Sequence, residues 1–165
     1  RRMLGAASLD VRAFEEVEAD RSATGQALLV VVIVALATGI GGLGLADPIS
    51  IIVNMASAIL GWALWAWIVM VLGTTLFRTP ETRADWGEVA RGTGFAQSPG
   101  VLRVLGFIPI LGPIIFFIVS VWQIIAMVIA VRQALDYRST WRALGVVIVG
   151  FIPYIVLLAI VSVFL

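Results

Sequence analysis

Cysteine, histidine and lysine are all absent from this chain of 165 residues. Without cysteine there are no disulfides and no thiol catalysis. Without histidine there is neither the commonest kind of zinc site nor a histidine base for a serine nucleophile. No glycine-rich loop ends in Lys-Ser or Lys-Thr, so a phosphate-binding loop is excluded as well. We therefore expect no catalytic residues, no metal site and no cofactor, and we predict that the protein is not an enzyme.

Charge is also scarce, since 13% of the residues are charged and 61% are hydrophobic. The net charge of +1 gives no basic stripe for nucleic acid. The long apolar runs are Ala27–Leu45, Ile49–Phe77, Ile114–Val131 and Ala143–Leu165. A shorter run, Val101–Leu111, contains Pro109 and is followed by Pro113. Because a helix needs about 20 apolar residues to cross a bilayer core of about 30 Å, the sequence predicts an all-α integral membrane protein.

The eleven basic residues, all arginines, decide how many runs cross. They lie before the first run, between the second run and the short run, and between the last two long runs. If the short run crosses, every arginine faces the cytoplasm, as the positive-inside rule requires. If it does not cross, Arg132, Arg138 and Arg142 fall outside. In the five-span interpretation Arg103 lies near the inner end of the third span and reaches the interface by snorkelling.

We therefore predict a bundle of five transmembrane helices, the third one short and bracketed by prolines. The N terminus is cytoplasmic and the C terminus extracytoplasmic. Residues 1–165 form a single membrane domain, and a sharp turn at Asp47-Pro48 joins the first two spans. The predicted spans cover residues 25–46, 49–77, 98–110, 114–132 and 141–164.

Residues 8–22 predict an amphipathic cytoplasmic helix before the first span. Leu9, Ala13 and Val17 recur at helical spacing with Phe14 beside them, and acidic residues fill the other side. This helix either packs on the inner surface of the bundle or docks a partner. In the loop after the second span, residues 85–88 resemble a capping box, which favours a short interfacial helix over residues 84–91 with Trp86 at headgroup depth.

The second span carries three tryptophans near its middle, whereas tryptophan usually lies at the membrane interfaces. Trp62, Trp65 and Trp67 fill space in the packing, form a lipid-facing ridge, or form a groove for a lipid tail, quinone or pigment. Together with Phe14 and Trp86 they are our candidate contacts for lipid or a partner.

Uncharged polar residues in the spans form a second group of candidates. We expect Asn54, Ser120 and Gln123 to form hydrogen bonds between helices, which is the common role of such residues in membrane bundles.

Several motifs resemble the Yip family, membrane proteins named for interaction with Ypt/Rab GTPases. These motifs are residues 9–20 before the first span, Gly94-Phe95-Ala96, Ser98-Pro99-Gly100, Pro109-Ile110-Leu111-Gly112, Trp122, Tyr137-Arg138-Ser139-Thr140 and Arg142-Ala143. The resemblance implies a cytoplasmic N terminus, five spans and no known catalytic activity. Eukaryotic members assist vesicle traffic and membrane shaping. Abundant Ala, Gly and Arg without lysine are typical of a GC-rich genome, so we expect a bacterial or archaeal type.

These features predict a non-enzymatic scaffold or accessory subunit in the plasma (inner) membrane. Its expected partners are membrane lipids and other integral membrane proteins. The alternative is a carrier or permease for an uncharged or lipid-like small molecule, with the broken third helix and Asn54 or Gln123 as contacts.

Overall fold

A computed structural model describes residues 1–42 and 48–164, and over these residues the chain is helical without any strand. The helices are α1 (Arg2–Ala7), α2 (Val11–Ala19), α3 (Ala23–Gly41), α4 (Pro48–Thr74), α5 (Trp86–Phe95), a 3₁₀ helix (Ser98–Phe107), α6 (Leu111–Ala134) and α7 (Thr140–Phe164). The end of the predicted first span, residues 43–46, lies outside the described residues. So do Asp47 of the predicted turn and Leu165.

Four helices, α3, α4, α6 and the Thr140–Ile160 part of α7, are long and apolar enough to cross a membrane. The prediction of an all-α integral membrane protein is therefore confirmed. Each of these helices is apolar on every side, because lipid outside the bundle is as apolar as the packing within it. On α3, for example, Ala27 is fully buried while Leu29 is 57% exposed. Small residues turn inward, which lets the helix backbones approach closely.

The second half of α5 and the 3₁₀ helix together run the length of α3 in the same direction. The contacts follow the same order along both segments: Arg91 meets Thr24, Gly94 meets Ala27, Gly100 meets Val34 and Arg103 meets Gly41. From Thr24 to Gly41 an α-helix rises by about 25 Å at 1.5 Å per residue. This length is most of the thickness of a bilayer core.

α6 returns antiparallel to that segment. Its residues meet the segment in reverse order, with Ala130 against Gly92, Gln123 against Gly100 and Phe116 against Gly106. α7 then packs antiparallel to α4, with Gly145 against Phe77, Gly150 against Trp65 and Tyr154 against Gly61.

The segment before α6 is 3₁₀-helical and ends at Phe107, and α6 begins at Leu111, three residues before the predicted start of the fourth span. Pro109 lies in the connection, where Ile110 has a positive φ of 69°. Pro113 lies inside the first turn of α6, where backbone N–H groups have no partner within the helix, so its missing N–H costs no hydrogen bond.

Arg103 does not lie where the arginine pattern places it. Its backbone carbonyl contacts Gly41, at the far end of α3 from Thr24. The expectation that Arg103 lies near the inner end of the third span is therefore wrong. The reason is that α5, counted in the sequence as part of a loop, already packs beside the beginning of α3.

The predicted amphipathic helix is α2, which is shorter than expected. The Asp10 carboxylate caps it by accepting a hydrogen bond from the Arg12 backbone N–H at 3.0 Å. Phe14 and Val17 are fully buried. The predicted capping box is also present, since the side chains of Asp85 and Glu88 each accept the other residue's backbone N–H at 2.9 Å. Helix α5 extends to Phe95, beyond the predicted end at residue 91, and its later residues are buried.

Close backbone contact at Gly41 gives the first prediction. A Cβ at this position would collide with the Arg103 carbonyl, so Gly41→Ala should destabilise the protein by about 1–3 kcal/mol, the usual cost of overpacking. The measurement is the midpoint of thermal unfolding in mild detergent, followed by near-UV circular dichroism.

Gly25→Ala is the matched control on the same helix. Nothing lies within 4 Å of a Cβ at Gly25, so this change should leave the midpoint unchanged or raise it slightly through better helix propensity. Equal losses in both variants would contradict the close contact at Gly41.

Candidate functional site: a polar cavity inside the bundle

A cavity of about 450 Å³ lies among α3, α4, the 3₁₀ helix, α6 and α7. Its size is within the usual range for small-molecule sites. The polar side chains that line it are Thr38, Asn54, Gln97, Arg103, Ser120, Gln123 and Tyr154. The largest apolar ones are Trp62, Trp65, Met127 and Phe151. The arrangement offers hydrogen-bonding groups beside a broad aromatic wall.

Two of the three tryptophans of α4 form that wall. Trp62 and Trp65 are 7% and 6% exposed, and both indole N–H groups have acceptors within the chain. Trp62 donates to the carbonyl of Ala90 at 3.0 Å, and Trp65 donates to the sulfur of Met127 at 3.2 Å. Hydrogen bonds within the chain therefore hold both indole rings in place.

Two further rings from α7 extend the wall. The Trp65 ring lies 4.9 Å from that of Phe151 and 5.6 Å from that of Tyr154, between ring centroids. Separations of this size are typical of attractive tilted and edge-to-face pairs.

Hydrogen bonds between Gln97 and Gln123 connect the start of the 3₁₀ helix to α6. The Gln123 side-chain amide donates to the Gln97 backbone carbonyl at 3.1 Å and to its side-chain oxygen at 2.8 Å. Ser120, one turn away, donates to the Phe116 carbonyl at 2.7 Å and accepts from Arg103 at 3.0 Å. These bonds satisfy polar groups that lie among apolar helices.

The other sequence candidates lie in different places. Asn54 is exposed at the rim of the cavity, and among the described residues no hydrogen bond joins it to another helix. Trp67 is 51% exposed on the outside of α4. Trp86 is 37% exposed and donates to the Ala63 carbonyl at 3.2 Å, which ties α5 to α4. Phe14 is fully buried under α2.

A second polar centre, at Arg91, holds α2 against the bundle near the beginning of α3. The Arg91 guanidinium donates to the backbone carbonyls of Val17 and Glu18, with Nε 3.0 Å from each oxygen, and reaches Thr24 at 3.5 Å. Carbonyls in the last turn of a helix lack partners and carry partial negative charge, so a cation there is favourable. Arg91 is 5% exposed, which makes it the most enclosed charged residue of the part of the chain that the structure describes.

Beside this centre, Glu18 lies half-buried among other carboxylates. Burial is the main cause that raises the pKa of Glu18 to about 7, and repulsion from Asp136, Glu88 and Glu15 adds to it while Arg91 opposes it. Around neutral pH this side chain is therefore charged in only part of the molecules.

Reasoning from the sequence missed Arg91, Gln97, Arg103 and Tyr154 as members of these two centres. For Arg91 a signal was available, because it is in the second turn of a capped helix within a loop that also carries Trp86. For Arg103 the signal was its position inside an apolar run, where an arginine marks a functional or paired group.

The model of the Yip1 domain family matches residues 10–161. That range covers α2 through most of α7 and includes both polar centres. No curated protein and no solved structure matches the chain.

The Glu18 environment gives the second prediction. Folding raises the pKa of the Glu18 carboxyl, so the folded state favours its protonated form. The resulting stabilisation is complete at pH values below the ordinary pKa of about 4.5, and it is lost as the pH rises through about 7. Glu18→Gln should therefore have a higher unfolding midpoint than the parent at pH 8 and a similar one at pH 5.

Thermal unfolding in neutral detergent at both pH values measures this effect. Glu81→Gln is the control, because Glu81 is exposed in the loop after α4 and lies 3.7 Å from exposed Arg138. The control should not raise the midpoint at pH 8. A Glu18→Gln protein that is less stable than the parent at pH 8 would contradict the burial argument.

Proposed function

Because the chain belongs to the Yip1 domain family of membrane proteins, we propose that it is a non-enzymatic integral membrane scaffold or accessory subunit. Its partners in this proposal are membrane lipids and other integral membrane proteins, and its location is the plasma (inner) membrane with the N terminus in the cytoplasm. Nucleic acid is not a partner, since the net charge is only +1.

The observation that carries the proposal is the fixed platform formed by α1 and α2. Arg2 joins the two helices through ion pairs with Glu16 at 2.9 Å and Asp20 at 2.6 Å. Arg91 fastens the end of α2 to α5, and Trp122 of α6 donates to the Ala7 carbonyl at 2.8 Å. A surface held by this many polar bonds needs little ordering when a partner binds, which lowers the entropic cost of binding.

The exposed side of the platform is suited to a partner with basic residues. Val11, Arg12, Glu15 and Glu16 are exposed on α2, and Asp10 is exposed just before it. Glu16 is paired with Arg2, so Asp10 and Glu15 carry the negative charge that a partner would meet. Juxtamembrane segments of other cytoplasmic-side proteins are rich in arginine and lysine, and opposite charges favour encounter.

The cavity supports a second candidate, a carrier for a small lipid-like molecule. Polar groups beside an aromatic wall, in a segment of broken helix, are found in transporter sites. The platform favours the scaffold over the carrier, because it lies outside the membrane and contributes no residue to the cavity.

Five crossings are part of this proposal. The contacts that run from Thr24 to Gly41 support counting α5 and the 3₁₀ helix together as the third crossing. The four-crossing alternative leaves this segment on the inner side and reverses everything that follows.

Cysteine labelling tests the count directly, because the natural chain has no cysteine. Ile110, at the turn after the 3₁₀ helix, is 85% exposed, and the Arg138 side chain is 89% exposed. Ile110→Cys should react with a membrane-impermeant maleimide in intact cells, and Arg138→Cys only after permeabilisation.

Leu4→Cys, 75% exposed near the N terminus, is the control and should behave like Arg138→Cys in both schemes. Arg138→Cys labelled in intact cells, with Ile110→Cys protected, would establish four crossings and refute the five-span proposal.

Photo-crosslinking in the native membrane tests the scaffold. A photoreactive phenylalanine at Arg12, on the platform, should crosslink to another integral membrane protein, and purification in mild detergent should yield an assembly larger than the monomer. The same residue at exposed Arg83, in the loop after α4, serves as the control and should give no such product.

A monomer that purifies with a small molecule bound, and with no crosslink from position 12, would favour the carrier. Equal crosslinking from positions 12 and 83 would also count against the platform, since it would show only random collisions at the membrane surface.

A further inference from the structure

We propose that Arg103 binds the oxyanion of a phosphate-bearing or carboxylate-bearing ligand in the cavity, with an anionic lipid as the form that fits the site best. The inference is independent of the scaffold proposal, since it concerns a different part of the molecule and a different kind of partner.

Arg103 has hydrogen-bond donors that the described part of the chain does not use. A guanidinium carries five N–H donors and has no acceptor. One of them is used, by the bond from Nη2 to the Ser120 hydroxyl at 3.0 Å. The Nε atom is buried and has no partner. Among the described residues, which do not include Asp47, no carboxylate forms an ion pair with Arg103.

The contrast with Arg91 shows that the chain can satisfy an enclosed arginine where it needs to. Arg91 donates to two backbone carbonyls and a hydroxyl, which leaves no need for an external anion. Among the described residues Arg103 has only a hydroxyl, and it is partly buried. A charge partly removed from water without a counter-charge is unfavourable, so a ligand that supplies one would gain electrostatic stabilisation.

Snorkelling to water does not account for the position of this side chain. The guanidinium lies over the Phe116 ring, 5.7 Å from its centroid, and bonds to Ser120, so both contacts are with α6 inside the bundle. The side chain therefore crosses from the 3₁₀ helix toward α6 and the cavity instead of extending along the segment toward the interface.

The shape of the cavity favours an amphiphile over a free anion. Its aromatic wall of Trp65 and Phe151 offers contact for an acyl chain, while Arg103 offers donors for a headgroup. A volume of about 450 Å³ holds a headgroup and the first part of a chain. At the rim Phe151 is 38% exposed, so the remaining chain can extend into the surrounding lipid.

Bromine-labelled lipids test the proposal, because bromine on an acyl chain quenches a tryptophan that it touches. The full chain carrying Trp67→Phe and Trp141→Phe, which removes two exposed indoles, is reconstituted into phosphatidylcholine vesicles. These contain a minor fraction of brominated phosphatidylglycerol or of brominated phosphatidylcholine. Contact with bulk lipid is equal for the two brominated lipids. Brominated phosphatidylglycerol should therefore quench more strongly only through binding in the cavity, and we expect that extra quenching.

Substitutions connect this preference to Arg103. Arg103→Gln should abolish the extra quenching, Arg103→Lys should retain part of it, and Arg138→Gln should retain all of it because that side chain is exposed on the inner loop. If Arg103→Gln does not accumulate, the comparison of the two lipids on the parent chain and on Arg103→Lys still decides the matter.

Inorganic phosphate, added to the chain in neutral detergent, distinguishes the two sources of the oxyanion. A rise in the unfolding midpoint that needs Arg103, without any lipid preference, would show an oxyanion site that takes a soluble ligand. Equal quenching by the two lipids together with no effect of phosphate would overturn the proposal. A phosphatidylglycerol preference that survives in Arg103→Gln would overturn it too.

Discussion

The structure depends on covering a backbone that is not α-helical inside an apolar bundle. A 3₁₀ helix has poorer hydrogen-bond geometry than an α-helix, and lipid offers no water to compensate. Here the 3₁₀ helix lies between α3 and α6, and glycines line the contact on both sides. A Cβ at Gly106 would meet the Phe116 ring and the Gly41 carbonyl, and a Cβ at Gly112 would meet the Gly106 carbonyl. Glycine brings these backbones together closely enough to exclude lipid.

The same segment determines where charge can lie. It carries one arginine beside the beginning of α3 and another beside its end, and their surroundings differ. Arg91 meets the carbonyl end of α2, so the helix dipole and the guanidinium stabilise each other and fasten the platform. Among the described residues, the Arg103 guanidinium meets a hydroxyl and an aromatic face and no carboxylate. One arginine is thus a structural element completed by the chain, and the other leaves donors beside a cavity.

Local patterns in the sequence predicted local structure well, whereas features that depend on contacts between distant residues could not be predicted from it. The capping box at Asp85 and Glu88 was predictable because it involves four consecutive residues. Whether Trp62 and Trp65 turn inward was not, because α4 is apolar on every side and has no polar face to orient it. The 3₁₀ helix packs against Gly41, more than fifty positions away in the chain, and no pattern within residues 98–107 indicates it. Arg103 was misplaced for the same reason, since its depth depends on α5 entering the bundle first.

Helix α5 connects the two polar centres, which gives the platform and the cavity a physical route to influence each other. Arg91, near its middle, holds the carbonyl end of α2, while the Ala90 carbonyl holds the Trp62 indole of the cavity wall. Gln97, two residues beyond its end, bonds to Gln123 inside the cavity. The platform, through α2, and the cavity wall, through Trp62, are therefore bonded to adjacent residues of the same short helix. If a partner on the platform shifts α5, it changes the affinity of the cavity for its ligand. The ligand then changes the affinity of the platform for the partner by the same factor, because coupling between two binding sites is reciprocal.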